Sequence, residues 1–481
     1  MTEADPVVAR SALNQLLELG GLDDAAPLAR IETQDVALPT RFRVPEGATA
    51  ALAAGGLAAG RLAELRGAEP AEIRVSSRHA EASLMGFAHL HFADSALGLP
   101  PRRVSDAQTT LSGFFPTADN RWVYLHPGFP HNAAGLLALL GVQNDRDAVA
   151  SAVAARSGQD LEDAVVDARL CSAMVQSPEE WDASGVGREL AGKPVVELLK
   201  LNDSPPRPLP RINPQAVNEF RPLDGVDVLD LTRVLAGPAC ARTLASYGAR
   251  VLRIGAEKLP SVPLFVVETG FGKRATFLDL NRSADRDRLG SLIGASDVFS
   301  QGYRTGAMER HGFGPEAVAV LNPGIVYVSI NCYGHEGAWR ERPGWEQLAQ
   351  TVTGIAKLHG EHAHPEGQPM LQPAAVTDYT TGYLAAYGVM LALHRRASEG
   401  GSYWVRVSLA RTGMWYRSLG LRENLDHAAF APEEITAMSV RTETHWGPVT
   451  HLRPVVESSG WDVNWQLPPV PLGTHCASFT G

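Results

Sequence analysis

The hydrophobic pattern of this chain is most regular between Gly225 and Leu409. Short apolar runs of strand length, such as Val226–Leu231 and Ala249–Ile254, alternate there with segments of helical periodicity. Continuous apolar runs are typical of strands in a parallel sheet, because helices cover both of its faces. Further strands are predicted at Ala275–Leu280, Val298–Ser300, Ile325–Ile330 and Trp404–Leu409. The pattern therefore predicts an α/β fold with a Rossmann-like, doubly wound parallel sheet, together with a smaller α+β domain.

The first βα turn of this region carries a candidate binding feature. Gly237-Pro238 opens a predicted helix over Ala239–Tyr247, which ends at Gly248. A helix N-terminus has unpaired N–H groups and attracts anions. No G-x-G-x-x-G follows the strand, so the common dinucleotide fingerprint is absent.

The rest of the chain divides by composition. Ala- and Leu-rich helices are predicted at Val7–Leu19 and Ala48–Leu65, separated by Pro45-Glu46-Gly47, and serve packing. A helix at Ala80–Leu97 and a strand at Trp122–Leu125 begin a small α+β unit. A Pro-rich stretch then indicates an extended linker. The predicted boundaries are 1–73, 74–201, 202–222, 223–415 and 416–481, the last being a tail that packs on the core.

An internal repeat is suggested by two similar segments. RVSSRHAEASLMGF at Arg74 and RVSLARTGMWYRS at Arg406 share a strand-end R-V-S followed by a helix. This similarity suggests that the N-terminal part repeats the segment that should come after the C-terminal core.

Composition narrows the class of protein. With 43 Lys+Arg against 53 Asp+Glu, the net charge of -10 argues against broad binding to nucleic acid or an anionic membrane. The four cysteines form no C-x-x-C pair, so a disulfide framework or zinc ribbon is not expected. The N-terminus lacks a signal-peptide pattern and no apolar run has spanning length. We expect a cytoplasmic protein.

Six segments together resemble the family III CoA-transferases of the CaiB/BaiF type. They are VLDLTRVLAGP, KRATFLDLNR, GAMERHGF, NPGIVYVSINCYG, RPGWEQLAQ and VTDYTTGYLAAYGVMLALHRR, in the family's order and spacing. The family usually begins with the βαβ unit, whereas here that unit comes after the linker. The segment TADNRWVYL resembles the region that normally lies after the core. The chain therefore resembles two fused family members, and the resemblance implies a homodimer that is interlocked in the family.

The resemblance implies an acyl-CoA:carboxylate CoA-transferase whose nucleophile is Asp378. In the family this aspartate forms a mixed anhydride and then an aspartyl-CoA thioester, and a helix N-terminus is expected to keep it ionised. Glu346 matches a position where a carboxylate borders the active site. The alternatives are that Asp378 is an ordinary N-cap and Glu346 an ordinary helix-surface residue.

The resemblance also implies coenzyme A as the bound group. Cations pair with its phosphates, and small residues let the adenine approach. One departure is Gly255-Ala256-Glu257-Lys258 after the second strand, where the family has an acidic residue first. The implied contacts are Arg233, Val234, Leu235, Ala236, Lys273, Arg274, Gly302, Tyr303, Ala307 and Arg310.

Other chemistries are less well supported. His359, His362 and His364 lie in a predicted loop, His359–Pro369, without metal-ligand spacing, so no metal is expected. A 2-methylacyl-CoA racemase needs an acid/base pair, but the matching position is Trp345 and the nearest histidine is His335. A hydrolase is disfavoured because no G-x-S-x-G is present. An inactive CoA-binding subunit stays an alternative, because the architecture is rearranged.

Overall fold

A seven-stranded sheet organises the protein in the computed structural model, which describes residues 3–93, 110–211, 220–364 and 366–480. The strands in chain order are β1 (Ala29–Glu32), β2 (Ile73–Ser76), β3 (His91–Phe92), β4 (Gly113–Pro116), β5 (Trp122–Leu125), β6 (Ser172–Met174), β7 (Glu197–Lys200), β8 (Asp227–Leu231), β9 (Arg250–Gly255), β10 (Lys273–Phe277), β11 (Val298–Gln301), β12 (Val326–Asn331), β13 (Tyr403–Ser408), β14 (Ser439–Thr444), β15 (Gly447–Leu452) and β16 (Glu457–Ser458).

The order of the large sheet is β10-β9-β8-β11-β12-β13-β7. All neighbours pair in parallel except the edge strand β7, which runs antiparallel to β13. The sheet grows outward from β8 in both directions, so the chain reverses its winding between β8 and β11. Ligands of such sheets bind beyond the carboxyl ends of the strands at this switch point. The prediction of a doubly wound α/β fold is confirmed.

Helices cover both faces of the large sheet and form much of the rest of the chain. They are α1 (Pro6–Gly20), α2 (Val44–Leu65), α3 (Ser77–Ser83), α4 (Pro130–Leu140), α5 (Arg146–Ala154), α6 (Gly158–Asp167), α7 (Pro178–Ala183), α8 (Gly185–Ala191), α9 (Ala236–Ser246), α10 (Pro263–Glu268), α11 (Ser283–Gly294), α12 (Ala307–Arg310), α13 (Pro315–Leu321), α14 (Glu346–Val352), α15 (Ile355–Ala363), α16 (Val376–Glu399), α17 (Leu409–Ser418) and α18 (Pro432–Ala437). Two 3₁₀ turns lie at Asp23–Leu28 and Gly86–His89. Among the described residues, no helix is long and apolar enough to cross a bilayer.

The long helix α16 is the centre of the packing. It is buried around almost its whole circumference, as expected for a helix enclosed by protein. It packs against α9 on the sheet side and against α2 of the N-terminal segment. One hydrophobic core therefore runs from the N-terminal helices through α16 into the sheet.

A smaller unit has its own core. The strands β4, β5 and β6 form an antiparallel sheet. Helices α4, α5 and α6 cover this sheet through Leu136, Val149 and Leu161. The predicted strand Trp122–Leu125 is confirmed as β5. The edge strand β7 also precedes the linker but belongs to the large sheet, and the sequence did not indicate it.

Several predicted helix boundaries are wrong. The helix predicted at Ala80–Leu97 ends at Ser83 in α3, and residues 94–97 lie outside the described ranges. Pro45-Glu46-Gly47 does not separate elements but forms the first turn of α2, where the missing N–H of Pro45 costs no hydrogen bond. His359 and His362 lie on α15 rather than in a loop.

The suspected repeat extends to secondary structure. Adding 332 to a position maps Arg74 onto Arg406, and the same offset maps the start of α2 onto the start of α16. It also maps the end of β2 onto the end of β13 and the start of α3 onto that of α17. Glu46 thereby occupies the position that corresponds to Asp378. Both are the third residue of a long buried helix.

Candidate active site

A cavity of about 260 Å³ lies at the switch point of the large sheet. Its walls come from the turn after β8, the segments after β11 and β12, and the start of α16. The small unit completes it with the first turn of α4 and with Cys171. Asp378 and Glu346 both line this cavity.

Glu346 and Asp378 are held together by backbone hydrogen bonds. The amides of Thr377 and Asp378 donate to the two carboxylate oxygens of Glu346, at 2.9 and 3.0 Å. Gln350 Nε2 donates to Glu346 Oε1 at 2.8 Å, and its own oxygen accepts from the Gln372 amide at 2.8 Å. Glu346 thus caps the first turn of α16, since the alanine at the N-cap position cannot do so. It is buried, so a helix-surface role is excluded.

The pKa values of both carboxyl groups are raised. Burial, and then the adjacent carboxylate of Glu346, hold the pKa of Asp378 well above its usual range, while the amide of Ala236 acts in the opposite direction. Burial also raises the pKa of Glu346, against the four hydrogen bonds from Thr377, Asp378 and Gln350 that favour its charged form. These effects act against the expected ionisation of Asp378 by a helix N-terminus, although the Ala236 amide favours the charged form. Desolvation and a second carboxyl group outweigh the helix dipole.

The turn after β8 presents Arg233, Val234, Leu235 and Ala236 to the cavity. Val234 has φ 70°, a conformation that a β-branched side chain rarely adopts. Such strain is characteristic of ligand-binding turns. A side chain at Gly237 would meet the Cβ of Thr232 at 2.4 Å, so only glycine allows the turn to close. Ala236, the first residue of α9, brings a helix N-terminus beside Asp378.

Of the remaining predicted CoA contacts, only two line the cavity. Gly302 and Tyr303 line the cavity beside the β8 turn. Arg274, Ala307 and Arg310 are not among its lining residues, and Arg274 Nε donates to the carbonyl oxygen of Ser478. The Gly255-Ala256 segment lines a smaller adjoining cavity, which Leu472 of the C-terminal tail also contacts.

Lys273 is not placed to meet a phosphate, which corrects the expectation from sequence. Its side chain is 2% exposed, and Nζ donates to Asp230 and to the Pro238 carbonyl oxygen, each at 2.8 Å. Asp230 also accepts from the Thr232 amide at 3.0 Å. Lys273 therefore supports the β8 turn from behind.

The small unit contributes residues that the sequence did not single out. Phe129, His131, Asn132 and Cys171 line the cavity. The Phe129 ring packs edge-on against Trp345, with centroids 5.2 Å apart, and the Arg233 guanidinium lies 4.8 Å above Phe129. No chemical motif marks these residues. Only the resemblance of TADNRWVYL to a post-core segment indicated that this region belongs beside the core.

A buried ion pair fixes the small unit to the core. Arg342 Nη2 contacts Glu162 Oε1 at 2.7 Å and donates to the Ser172 carbonyl oxygen at 3.0 Å. The guanidinium also lies 4.0 Å above the Trp339 ring. Because both charged side chains are about 95% buried, this pair is sensitive to the loss of either partner.

The histidine cluster has a structural setting. His359 is buried on α15, and burial lowers its pKa to about 4. Across the described ranges, no group of three or more His, Cys, Asp or Glu side chains could hold a metal ion.

The fold and the site define an α/β protein with two buried carboxyl groups in a cavity at the carboxyl ends of its parallel strands. The family model described as CoA-transferase family III matches residues 223–445. The match agrees with the resemblance to this family that the six sequence segments indicated.

Similar proteins carry related names. An acyl-CoA transferase of Gibberella moniliformis is 35% identical over 324 residues, which cover 63% of this chain and 56% of that protein. The acetyl-coenzyme A transferase nodX of Hypoxylon pulicicidum is 33% identical, with 64% and 55% covered. The succinyl-CoA–L-malate CoA-transferase beta subunit of Chloroflexus aurantiacus is 33% identical, with 39% and 49% covered. The chain thus spans about half the length of these relatives.

Among solved structures, a CaiB/BaiF family protein from Brucella suis is 27% identical. The match covers 43% of this chain and 60% of that one, with a TM-score of 0.37, too low to support a structural argument.

Proposed function

We propose that the chain transfers coenzyme A between an acyl-CoA and a carboxylic acid through a covalent intermediate on Asp378. The observation that carries this proposal is the pairing of Asp378 with Glu346 in a cavity at the switch point, beside the N-terminus of α9. A carboxylate held in such an enclosed site is a competent nucleophile towards a thioester. The names of the relatives agree with this reaction class.

The proposed reaction has four steps, and in each step one bond forms while another breaks. The Asp378 carboxylate attacks the thioester carbonyl and releases CoA thiolate, which leaves a mixed anhydride. The thiolate attacks the aspartyl carbonyl and releases the first carboxylic acid, which leaves an aspartyl-CoA thioester. The acceptor carboxylate attacks this thioester and releases the thiolate, which forms a second anhydride. The thiolate then attacks the acyl carbonyl of that anhydride and frees Asp378.

Glu346 is the proposed proton store. Asp378 must lose its proton before it can attack, and the adjacent Glu346 carboxylate is the nearest acceptor. The amides of α16 that bind Glu346 hold it in place through the cycle. The Ala236 amide stabilises charge on the Asp378 carboxyl group.

The two alternatives have less support. Burial lowers the pKa of His335 to about 3, and its ring packs edge-on against Trp404 with centroids 6.0 Å apart. His335 does not line the cavity, so it cannot complete a racemase acid/base pair. An inactive subunit would not need to keep both carboxyls at the cavity, and the departure at Gly255 lies outside it.

Two further expectations belong to this proposal. We place the reaction in the cytoplasm, on soluble acyl-CoA and carboxylic acid. A homodimer is also proposed, although here the small unit of the same chain already closes the cavity. Light scattering of the purified chain would decide between a dimer and a monomer.

Chemical trapping tests the covalent step. The protein is incubated with an acyl-CoA donor that turns over and is quenched with hydroxylamine, which converts an aspartyl thioester or anhydride to a hydroxamate. Peptide mass spectrometry is expected to find the mass change on Asp378 and none in Asp378→Asn. Turnover without any label on Asp378 would exclude the covalent mechanism.

A further inference from the structure

Gln350 lies behind the two carboxyl groups of the site, and its hydrogen bonds allow one orientation of its amide. The residue is buried on α14, one turn after Glu346, and does not line the cavity. The backbone amide of Gln372 donates to Gln350 Oε1 at 2.8 Å. Because a backbone N–H can only donate, the side-chain oxygen of Gln350 must face Gln372 and its NH₂ group must face Glu346. Gln350 Nε2 donates to Glu346 Oε1 at 2.8 Å.

Gln372 is itself held by the segment before α2. Thr40 Oγ1 accepts from the Phe42 amide at 3.2 Å, so its own proton is directed to Gln372 Oε1, which lies 2.6 Å away. Both Thr40 and Gln372 are buried. A chain of hydrogen bonds therefore leads from the N-terminal segment through two glutamines to Glu346.

The donors around Glu346 favour its ionised form. Its Oε1 accepts from the Thr377 amide and from Gln350 Nε2, and its Oε2 accepts from the Asp378 amide. Each of these bonds stabilises a carboxylate, whereas a protonated carboxyl group has less capacity to accept them. The side-chain contact between the two acids acts in the same direction, because it favours the charged form of Glu346 and the neutral form of Asp378.

The other titratable groups around the pair, in the part of the chain that the structure describes, do not reverse this preference. Burial raises the pKa of Cys332, after β12, and that of Tyr416, on α17, so both groups are neutral around pH 7. The basic residues that line the cavity have other contacts: Arg233 with the Pro260 carbonyl oxygen, Arg304 with that of Arg169, Arg340 with Glu341, Arg342 with Glu162, and His131 with the Phe129 ring. Hydrogen bonds to Glu346 therefore decide which carboxyl group is ionised.

We propose that Gln350 is a positioning residue that keeps Glu346 ionised and thereby places the proton of the pair on Asp378 in the free protein. The resting site then holds the neutral acid of Asp378 beside the carboxylate of Glu346. Asp378 must pass this proton to Glu346 before it attacks a thioester, a consequence that rests on the proposed function. The location of the proton in the free protein does not depend on that reaction.

The pH dependence of stability tests the role of Gln350. Gln350→Met keeps the length of the side chain but cannot donate to Glu346, so it should raise the pKa of that carboxyl group in the folded protein. A raised pKa in the folded state costs stability as the pH rises above the unfolded value. We expect the unfolding constant of the variant in urea, relative to wild type, to increase about tenfold from mildly acidic to mildly alkaline pH, the effect of one hydrogen bond to a charged group. A folded variant whose relative constant is the same at both pH values would overturn the inference.

The matched control is Thr351→Val on the same helix. Thr351 is buried, and its hydroxyl donates to the Gln347 carbonyl oxygen at 2.6 Å, so the substitution removes a hydrogen bond that involves no carboxyl group. Its loss of stability should be the same at every pH. An equal pH dependence in the two variants would show that the effect is not specific to Gln350 and would overturn the inference.

Infrared difference spectroscopy locates the proton without a change at Gln350. A protonated carboxyl group and a carboxylate absorb at different stretching frequencies. The spectrum of wild type minus that of Asp378→Asn, at neutral pH, should show the band of a protonated acid. A carboxylate band in its place would put the proton on Glu346 and overturn the inference.

Both measurements use the free full chain and need no turnover. A chain that shows the expected pH dependence and infrared band but no CoA exchange would refute the proposed function and leave this inference standing. Exchange with a label on Asp378, together with a pH-independent effect of Gln350→Met, would refute the inference alone.

Discussion

Replacing Glu346 by glutamine should move the acid limb of the pH–rate profile to lower pH. Glu346 lies against the backbone of Thr377 and Asp378, and its carboxylate raises the pKa of Asp378. The wild-type rate should rise with pH, as Asp378 loses its proton through the apparent pKa of the pair. The substitution keeps the size of the side chain but removes its negative charge. Asp378 should then ionise more readily.

Coulomb's law for two adjacent carboxylates sets the size of the shift. Two unit charges about 4 Å apart at an effective dielectric of about 20 repel by about 4 kcal/mol. One pKa unit corresponds to about 1.4 kcal/mol, so the repulsion alone accounts for about 3 units. The amide introduced by Glu346→Gln can accept only part of the hydrogen bonding that the carboxylate accepts, and burial of Asp378 persists. We therefore expect the acid limb to move down by about 1 to 3 pH units.

The assay is kcat/KM for CoA exchange across the acidic to mildly alkaline range, measured on wild type, Glu346→Gln and Glu361→Gln. Glu361 is exposed on α15 and contacts Lys357 at 2.7 Å, and neither residue lines the cavity, so its neutralisation should leave the profile in place. An acid limb of Glu346→Gln that coincides with wild type would refute the argument that the two carboxyls are coupled. Equal shifts in both variants would show a general charge effect instead.

Three other substitutions test the structural roles. Asp378→Asn should abolish exchange and raise the melting temperature, more at mildly alkaline than at mildly acidic pH. Asp378 ionises in the unfolded chain but keeps its proton to higher pH in the folded chain, because its pKa is raised there. Above the unfolded pKa, wild type therefore loses about 1.4 kcal/mol of unfolding free energy per pH unit, and the Asn variant does not. An equal melting shift at both pH values would contradict this. Lys273→Met should lower the free energy of unfolding in urea by about 3 to 5 kcal/mol, since Asp230 stays buried and unpaired. Lys258→Met, with a side chain 89% exposed, should cost almost nothing, and equal losses in the two would argue against the buried pair. Glu46→Gln should leave kcat/KM unchanged while lowering stability, and a loss of exchange like that of Asp378→Asn would contradict its placement outside the site.

The sheet could be predicted because each of its buried strands is a local apolar run. The strands β8, β9 and β12 coincide with such runs, and two of the connecting helices begin at Pro263 and Pro315. The edge strand β7 could not be predicted this way. Its residues are partly exposed and its partner β13 lies about two hundred residues away. Long-range pairing of an amphipathic edge leaves no local pattern.

In the candidate site, too, residues within local motifs could be predicted from the sequence, whereas contacts between distant segments could not. The family motifs supplied Asp378 and Glu346, but not the hydrogen bonds that join them across more than thirty residues. Lys273 and Arg274 look equivalent in sequence, yet the alternation of β10 turns Lys273 inward, towards Asp230 on a strand two places away. Asn132 belongs to no motif, and only the packing of the small unit on the core brings it to the cavity.

The internal repeat places two acids, Glu46 and Asp378, at equivalent positions in different surroundings. Glu46 and Asp378 hold the same position in corresponding helices, and both are withdrawn from bulk water. The Glu46 carboxylate accepts the amide of Asp5 at 2.9 Å and lies 3.5 Å from Arg43, so the chain's own N-terminal segment covers it. Asp378 instead faces the carboxyl ends of a parallel sheet, with Glu346 behind it and a cavity in front. Within the described residues, the first copy has no such seven-stranded sheet in its own repeat. Helix α2 of the first copy packs on α16. The small unit, which follows the first copy in the chain, supplies the cavity wall that carries Asn132. The second copy therefore holds the acid that lines the cavity, and the first forms part of the enclosure around it.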